Sequence, residues 1–153
     1  MIVLDAAQLA HIVESRQENG ETIVFTNGVF DLLHVGHVRY LQEARSLGDA
    51  LIVAVNSDDS VRKLKGPTRP LVTDSERMEV LDALACIDYV TLFTTQTPVP
   101  LIALVKPALY VKGGDYEIDK LPETPIVRAY GGEVRILGFT RGRSTTRLIE
   151  AGG

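Results

Sequence analysis

The segment 50–56, ALIVAVN, is apolar almost without a break. A strand with one wet face alternates apolar and polar residues. A continuous run has to bury both faces, which is the habit of a parallel sheet covered by helices on each side. Four more β-rich runs share the chain with it: TIVFTN at 22–27, DYVTLF at 88–93, ALYVK at 108–112 and EVRIL at 133–137. Helical segments separate them. Asp5 caps a first helix with Leu9, Ile12, Val13 and Arg16 at helical spacing, stopped by Gly20. Further helices are expected at about 36–47 and 58–64, and from a capping box at Thr73–Glu76 to about Cys86. PVPLIALV forms a short helix with Pro98 and Pro100 near its first turn. Another runs near 125–130 and ends at Gly131 and Gly132, and a last one covers 144–150. Strands alternating with helices predict an α/β domain with a parallel sheet.

The 153 residues predict a single domain spanning 1–153, with an N-terminal helix at about 5–19 and a core at about 22–150. Sixteen Lys plus Arg against twenty Asp plus Glu give a net charge of −4, which argues against a nucleic-acid binder. The opening residues have no basic start and meet an acid at Asp5, so no signal peptide is expected. No apolar run approaches a membrane span. Cys86 is the single cysteine and sits in the apolar pattern VLDALACI, where it reads as a small core residue. A cytoplasmic location fits these features.

In open α/β sheets ligands bind beyond the carboxyl ends of the strands. Here those exits read TNGVFDLLHVGH, NSDDSVRKLKGPTRP, TTQTPVP, KGGDY and GFTRGRSTTR. All but TTQTPVP carry Gly or charge. Arg62, Lys63, Lys65 and Arg69 form one basic stretch, and Arg141, Arg143 and Arg147 another. Two basic loops on one edge of an acidic protein focus field on a phosphate-bearing ligand. Arg77 falls in the first turn of its helix, where the dipole disfavours a cation. A bound anion accounts for it, as does a salt bridge to Asp74 or Glu76.

Two of the chain's three histidines, His34 and His37, stand three apart at a helix start, with Gly36 between them. They share a face there, and the helix N-terminus is itself a phosphate site. Zinc needs further ligands, yet His11 lies on another helix and Cys86 is isolated. A hydrolase needs an activated nucleophile, and neither GxSxG nor a matched Cys–His pair is apparent. Two imidazoles donating to a phosphate during displacement remain. Walker A, GxGxxG and kinase motifs are absent. The residues thus point to phosphoryl or nucleotidyl transfer without a covalent nucleophile.

TNGVFDLLHVGH with a distant STT resembles the HxGH nucleotidyltransferase superfamily, in its cytidylyltransferase-like branch. The stretches LGDALIVAVNSDDSVRKLKGPTRP, ERMEVLDAL, VKGGDY and GGEV resemble more narrowly the adenylyltransferase domain of ADP-heptose synthase, over about 22–149. The resemblance implies a Rossmann-like, five-stranded parallel sheet with helices on both faces. It implies transfer of AMP from ATP to D-glycero-β-D-manno-heptose 1-phosphate, without a fused kinase, in lipopolysaccharide or another surface glycan pathway. His34, His37 and Lys65 would act on the reacting phosphate. The backbone of Thr26, Asn27, Gly28, Val29 and Phe30, together with Gly36, would line the nucleotide, and Arg77 would hold its outer phosphates. Lys112, Gly113 and Asp115 would line base and ribose, and Ser144 and Thr145 would meet the terminal phosphates. Asn56, Asp58 and Arg69 are expected on the acceptor side, and Asp31 either there or capping the histidine helix. Mg2+ would be held by ATP phosphates rather than by a protein carboxylate cluster. Dimerisation is a family-level expectation.

Small-alcohol cytidylyltransferases of the wider family begin the STT segment with an arginine. Phe139 stands in that place here, with Arg141 and Arg143 nearby. Rival readings are a cytidylyltransferase for a small polyol phosphate, an FMN adenylyltransferase, and a nucleotide-binding sensor without catalysis.

Overall fold

The structure, a computed structural model, describes residues 1–138. The expected last helix and the calls on Phe139, Arg141, Arg143, Ser144, Thr145 and Arg147 lie outside the described residues.

Five strands form one parallel sheet: β1 Ile23–Gly28, β2 Ala50–Asn56, β3 Tyr89–Phe93, β4 Leu109–Gly113 and β5 Glu133–Leu137. Their order across the sheet is β3-β2-β1-β4-β5. The helices are α1 Ala6–Glu18, α2 Val35–Ser46, α3 Asp58–Lys65, α4 Asp74–Asp82, α5 Val99–Val105 and α6 Glu123–Ala129. The α/β, Rossmann-like expectation stands, with helices on both faces.

The period of β2 shows why. Ala50, Ile52 and Ala54 join one core with Leu9 and Val13 of α1, Ile102 of α5 and Val127 of α6. Leu51, Val53 and Val55 join the other with Leu41 and Ala44 of α2 and Leu81 of α4. All six β2 residues are fully buried. Burying each large apolar side chain stabilises by roughly 1.5–3 kcal/mol, which drives a run without polar breaks to the centre of the sheet.

Two elements depart from the sequence reading. α4 stops at Asp82, with Ala83 as its C-cap, and a turn closed by Ile87 N–H donating to Leu84 O leads into β3. Cys86 therefore sits half-buried in that turn rather than on a helix. α6 begins at Glu123, two residues before Pro125. Proline at the third helical position is tolerated, because the N–H it lacks has no intrahelical partner there.

The chain runs from β1 outward to β3, then returns to place β4 on the other side of β1. The order reverses between β1 and β4, the switch point where such sheets open a crevice. The ladder agrees: β1 pairs with β4 only at Val24↔Leu109 and Phe25↔Tyr110. Beyond that the carboxyl ends of the two strands part.

Candidate active site

A cleft of about 870 Å³ opens where β1 and β4 part. Its wall draws on the exits of β1 through β4 and on the segment leading into α6. From the β1 exit come Asn27, Gly28, Val29, Phe30 and Asp31, followed by His37 and Tyr40 of α2. Asn56 ends β2, and Leu64 and Lys65 end α3. Lys112, Gly113 and Asp115 follow β4.

His34 is the N-cap of α2, and its Nδ1 accepts from the Gly36 N–H at 3.0 Å. His37 Nδ1 accepts from the His34 N–H at 3.3 Å. Each imidazole thus receives a backbone proton at Nδ1, which leaves the ring proton on Nε2. The rings lie 4.0 Å apart, centre to centre, at 33°, and the Phe30 ring meets His37 edge-on at 5.7 Å. Burial, then His34 and Lys65, push His37 down to about 4. It is neutral at physiological pH, an Nε2–H donor with no charge of its own.

Phe30 adopts φ 51, a left-handed conformation uncommon for a bulky residue. Its ring lies where a Cβ on Gly28 would fall, 2.8 Å from ring carbon Cε2. Gly28 is therefore required by the ring that buttresses His37.

Lys65 stands at the cleft wall with its side chain exposed. Partial desolvation lowers its pKa, Arg69 adds to this and Asp31 partly opposes it. An ammonium beside a second cation at a cleft wall is a ready partner for an anion. Arg69 Nε donates to Asp31 Oδ2 at 2.7 Å, and its buried Nη2 has no hydrogen-bond partner among the described residues. Asp31 also accepts from the amides of Leu71 and Val72, each at 2.9 Å. Burial pushes its carboxyl up, but these amides and Arg69 outweigh burial and hold it below the usual range. Asp31 thus anchors the loop before α4 and does not cap α2. Arg62 pairs instead with exposed Asp59.

Arg77 corrects an expectation. Its side chain is 1% exposed and it is absent from the cleft wall. Nε donates to Val72 O at 2.9 Å, Nη1 to Val29 O at 2.7 Å and Nη2 to Asp58 Oδ1 at 2.9 Å. The guanidinium ties three segments together beneath the site, so in this arrangement it is not placed to hold outer phosphates. Its partner is neither Asp74 nor Glu76. Asp58 is committed with it, since Asp58 Oδ1 also accepts from the Asp74 N–H and its own N–H donates to Asp74 Oδ2. Neither acid–base partner is placed on the acceptor side of the cleft.

The side chain of Thr26 faces away from solvent. It is fully buried, with Oγ1 2.6 Å from the Tyr40 hydroxyl, which in turn donates to Val111 O at 3.3 Å. Tyr40 therefore sits across the parted ends of β1 and β4. His34, Gly36 and Arg69 are not among the residues lining the cleft, but each is bonded to or stacked on one that is, or lies next to it in the chain.

Other wall residues carried no signal in the sequence. Gln96, Thr97 and Pro98 come from the one strand exit without Gly or charge. Tyr116 holds its ring 4.6 Å from Lys112 Nζ. Glu123, on the far side from α2, is 2% exposed. A lone Glu in LPETPIV has no motif to mark it; only the fold brings it beside Asn27 and Lys112.

Among the described residues no group of three or more ligating side chains could hold a metal ion. Asp31 and Asp58, the carboxylates that follow β1 and β2, are committed to cations and amides. A divalent cation fits here as part of a metal–nucleotide complex, its ligands mainly phosphate oxygens. No helix among the described residues is long and apolar enough to cross a membrane.

Comparison with known proteins fits this geometry. The cytidylyltransferase-like family model matches residues 25–150. The chain is 54% identical over 142 residues to the bifunctional protein HldE of Geobacter metallireducens, covering 93% of this chain and 29% of that protein. It is 49% identical over 148 residues to HldE of Alcanivorax borkumensis, covering 97% and 31%. The chain thus spans about three-tenths of the length of these relatives. Among solved structures, the lipopolysaccharide core biosynthesis protein of Thermoplasma volcanium superposes with a TM-score of 0.65 at 30% identity, covering 79% of this chain and 98% of that one. A pantoate-β-alanine ligase from Francisella tularensis shares the fold, with a TM-score of 0.60 at 14% identity over 94% of this chain and 68% of that one. By the reach of the family match, the chain belongs to the cytidylyltransferase-like family of nucleotidyltransferases.

Proposed function

We propose that this chain transfers AMP from ATP to D-glycero-β-D-manno-heptose 1-phosphate, giving ADP-heptose and pyrophosphate. The observation that carries it is the pair of imidazoles at the start of α2, each accepting a backbone amide at Nδ1, with Lys65 close enough to His37 to depress its pKa. Likeness to HldE at about half of all positions, the narrower resemblance to ADP-heptose synthase, and the lipopolysaccharide core protein with the same fold support the choice of sugar.

A phosphate oxygen of the sugar 1-phosphate attacks the α-phosphorus of ATP in line. The bond from that phosphorus to the bridging oxygen breaks, and the electron pair leaves with pyrophosphate. The protein's work is positioning and charge stabilisation, as in other phosphoryl transfers. His34 and His37 donate to the α-phosphate oxygens as charge gathers there, and Lys65 faces the incoming or departing phosphate. Being neutral, His37 adds a donor without a hydration shell to shed, so it is preorganised for the transition state. Mg2+ bound to ATP neutralises the outer phosphates. Asn27, Gly28 and Phe30 line the nucleotide with Lys112, Gly113 and Asp115, while Asn56 faces the acceptor. Dependence on ATP places the reaction in the cytoplasm.

The test is a panel of nucleotides and phosphorylated acceptors scored by pyrophosphate release. ATP with heptose 1-phosphate is expected to give the highest kcat/KM. Product from CTP and glycerol 3-phosphate, with none from ATP and heptose 1-phosphate, would overturn this choice. Nucleotide binding without pyrophosphate release from any acceptor would favour a sensor.

A further inference from the structure

Glu123 is the buried charge that this mechanism does not use. It opens α6, contributes to the cleft wall and is 2% exposed. Its Oε2 has no hydrogen-bond partner among the described residues. Its Oε1 lies 3.4 Å from the Tyr110 hydroxyl and 4.0 Å from Lys112 Nζ, both beyond a strong hydrogen bond.

Counting protons sharpens the deficit. The Tyr110 phenol has one proton and two acceptors within reach, Asn27 Oδ1 and Glu123 Oε1. Asn27 is much the nearer and takes it. Glu123 is 2% exposed and its Oε2 is buried, so bulk water does not make up the difference. Lys112 is drawn instead over the Tyr116 ring, 4.6 Å away. A carboxylate removed from water without a committed donor is costly, and native proteins rarely leave one so. Where the residue lines a cleft, the missing donor is a ligand's. The last side-chain torsion of Glu is soft, so either oxygen can turn to meet it.

Charge fixes what kind of donor. A phosphate beside Glu123 would meet a like charge, whereas Lys65 and the α2 start favour phosphate at the opposite wall. The cleft therefore has an anionic-ligand end and a hydroxyl-donor end. We infer that Glu123 is a substrate-binding residue that accepts a hydrogen bond from a neutral sugar hydroxyl, on a ligand whose phosphate lies at the histidine end. Both substrates offer that chemistry, the ribose of ATP and the ring of the acceptor sugar. The inference rests on the adenylyltransferase reading.

The experiment is steady-state kinetics of full-length Glu123→Gln with each substrate varied in turn, alongside wild type with 2′-deoxy-ATP, 3′-deoxy-ATP and deoxy analogues of the acceptor. Gln keeps the shape and loses half of the acceptor capacity. One KM is expected to rise tenfold or more while kcat stays within threefold. A rise in the acceptor's KM assigns the hydroxyl to the sugar phosphate. A rise in the ATP KM, with a ribose-deoxy ATP bound equally by variant and wild type, assigns it to the ribose. Both KM values within twofold of wild type in a folded, active variant would overturn the inference. So would a fall in kcat alone, which would mark a positioning role through Tyr110 and Asn27. If the variant does not fold, the wild-type arm decides: no deoxy analogue binding more than twofold more weakly than its parent also overturns it. Failure of the adenylyltransferase reading shows separately, as wild type that releases no pyrophosphate.

Discussion

At the residue scale, the two imidazoles divide their work by atom. Each Nδ1 accepts a backbone amide at the start of α2, so each ring proton sits on Nε2. Substitutions can separate these roles. Asn places an acceptor near the Nδ1 position and is a good N-cap; Gln reaches nearer to Nε2. His34→Asn and His37→Asn are expected to keep the helix start and nucleotide binding but to lose about 3 kcal/mol of barrier lowering, roughly a hundredfold in kcat. His37→Gln should recover part of it. Near wild-type turnover in either Asn variant, measured by pyrophosphate release, contradicts the donor role.

His37 also carries a pH signature. Its folded pKa lies near 4 against an ordinary 6.5. Between those values the unfolded chain binds the proton more readily, so stability rises with pH across this window and is lost as pH falls from 6.5 towards 4. The loss specific to His37 is about 2 kcal/mol, allowing for water that reaches the ring. Denaturant titrations at both ends of the window should show wild type losing more than His37→Asn by that amount. Equal losses would mean that the ring is better solvated than its burial implies.

At the element scale, Arg77 acts as a latch beneath the site. It joins α4 to the β1 exit through Val29 O, to the preceding loop through Val72 O and to α3 through Asp58. Removing the guanidinium breaks three hydrogen bonds at once and unpairs Asp58, itself 27% exposed, at a cost of roughly 2–4 kcal/mol. Arg77→Ala is expected to lower Tm by about 10 °C, and activity should fall with the folded fraction. Unchanged Tm with a raised KM for ATP would return Arg77 to the phosphate role. Gly28 is a second case. A methyl there meets the Phe30 ring at 2.8 Å, and that ring packs on His37. Gly28→Ala should cost about 1–3 kcal/mol of stability and lower kcat through a displaced imidazole. A variant as stable and as active as wild type would refute the contact.

At the scale of the whole molecule, the cleft lies between strands that part, so a ligand there touches both sides of the switch point. ATP at a hundred times its Kd should stabilise the fold by about 2.7 kcal/mol, visible as a clear rise in Tm. Adenosine should do far less, because the histidine end of the cleft answers to phosphate. Equal shifts from both would place the ligand's phosphates outside the cleft.

Much of this was legible along the chain. The burial of β2 on both faces followed from ALIVAVN, and the bounds of β2 and β5 from the edges of their apolar runs. His34, Gly36 and His37 announced a site because a helix start and two nearby imidazoles are local properties. Lys65, Lys112 and Gly113 were singled out through the strand exits that carry them, and all three line the cleft. Arg77 was placed in the right turn but given the wrong partners: local spacing offers Asp74 and Glu76, whereas the fold supplies Asp58 and two carbonyls from elsewhere. Asp31 was offered two roles; it lines the cleft and is bonded to the loop before α4 rather than to the start of α2. Tyr40, Gln96, Thr97 and Glu123 were missed altogether. Hydrophobic period, caps and glycines act within a few residues, so the sequence by itself determined the elements, the parallel sheet and the paired histidines at a helix start. Which buried charge finds a partner, and which is left for a ligand, depends on residues 48 to 96 positions apart in the chain, as between Arg77 and Val29 or Glu123 and Asn27. Only packing across the switch point between β1 and β4 decided that.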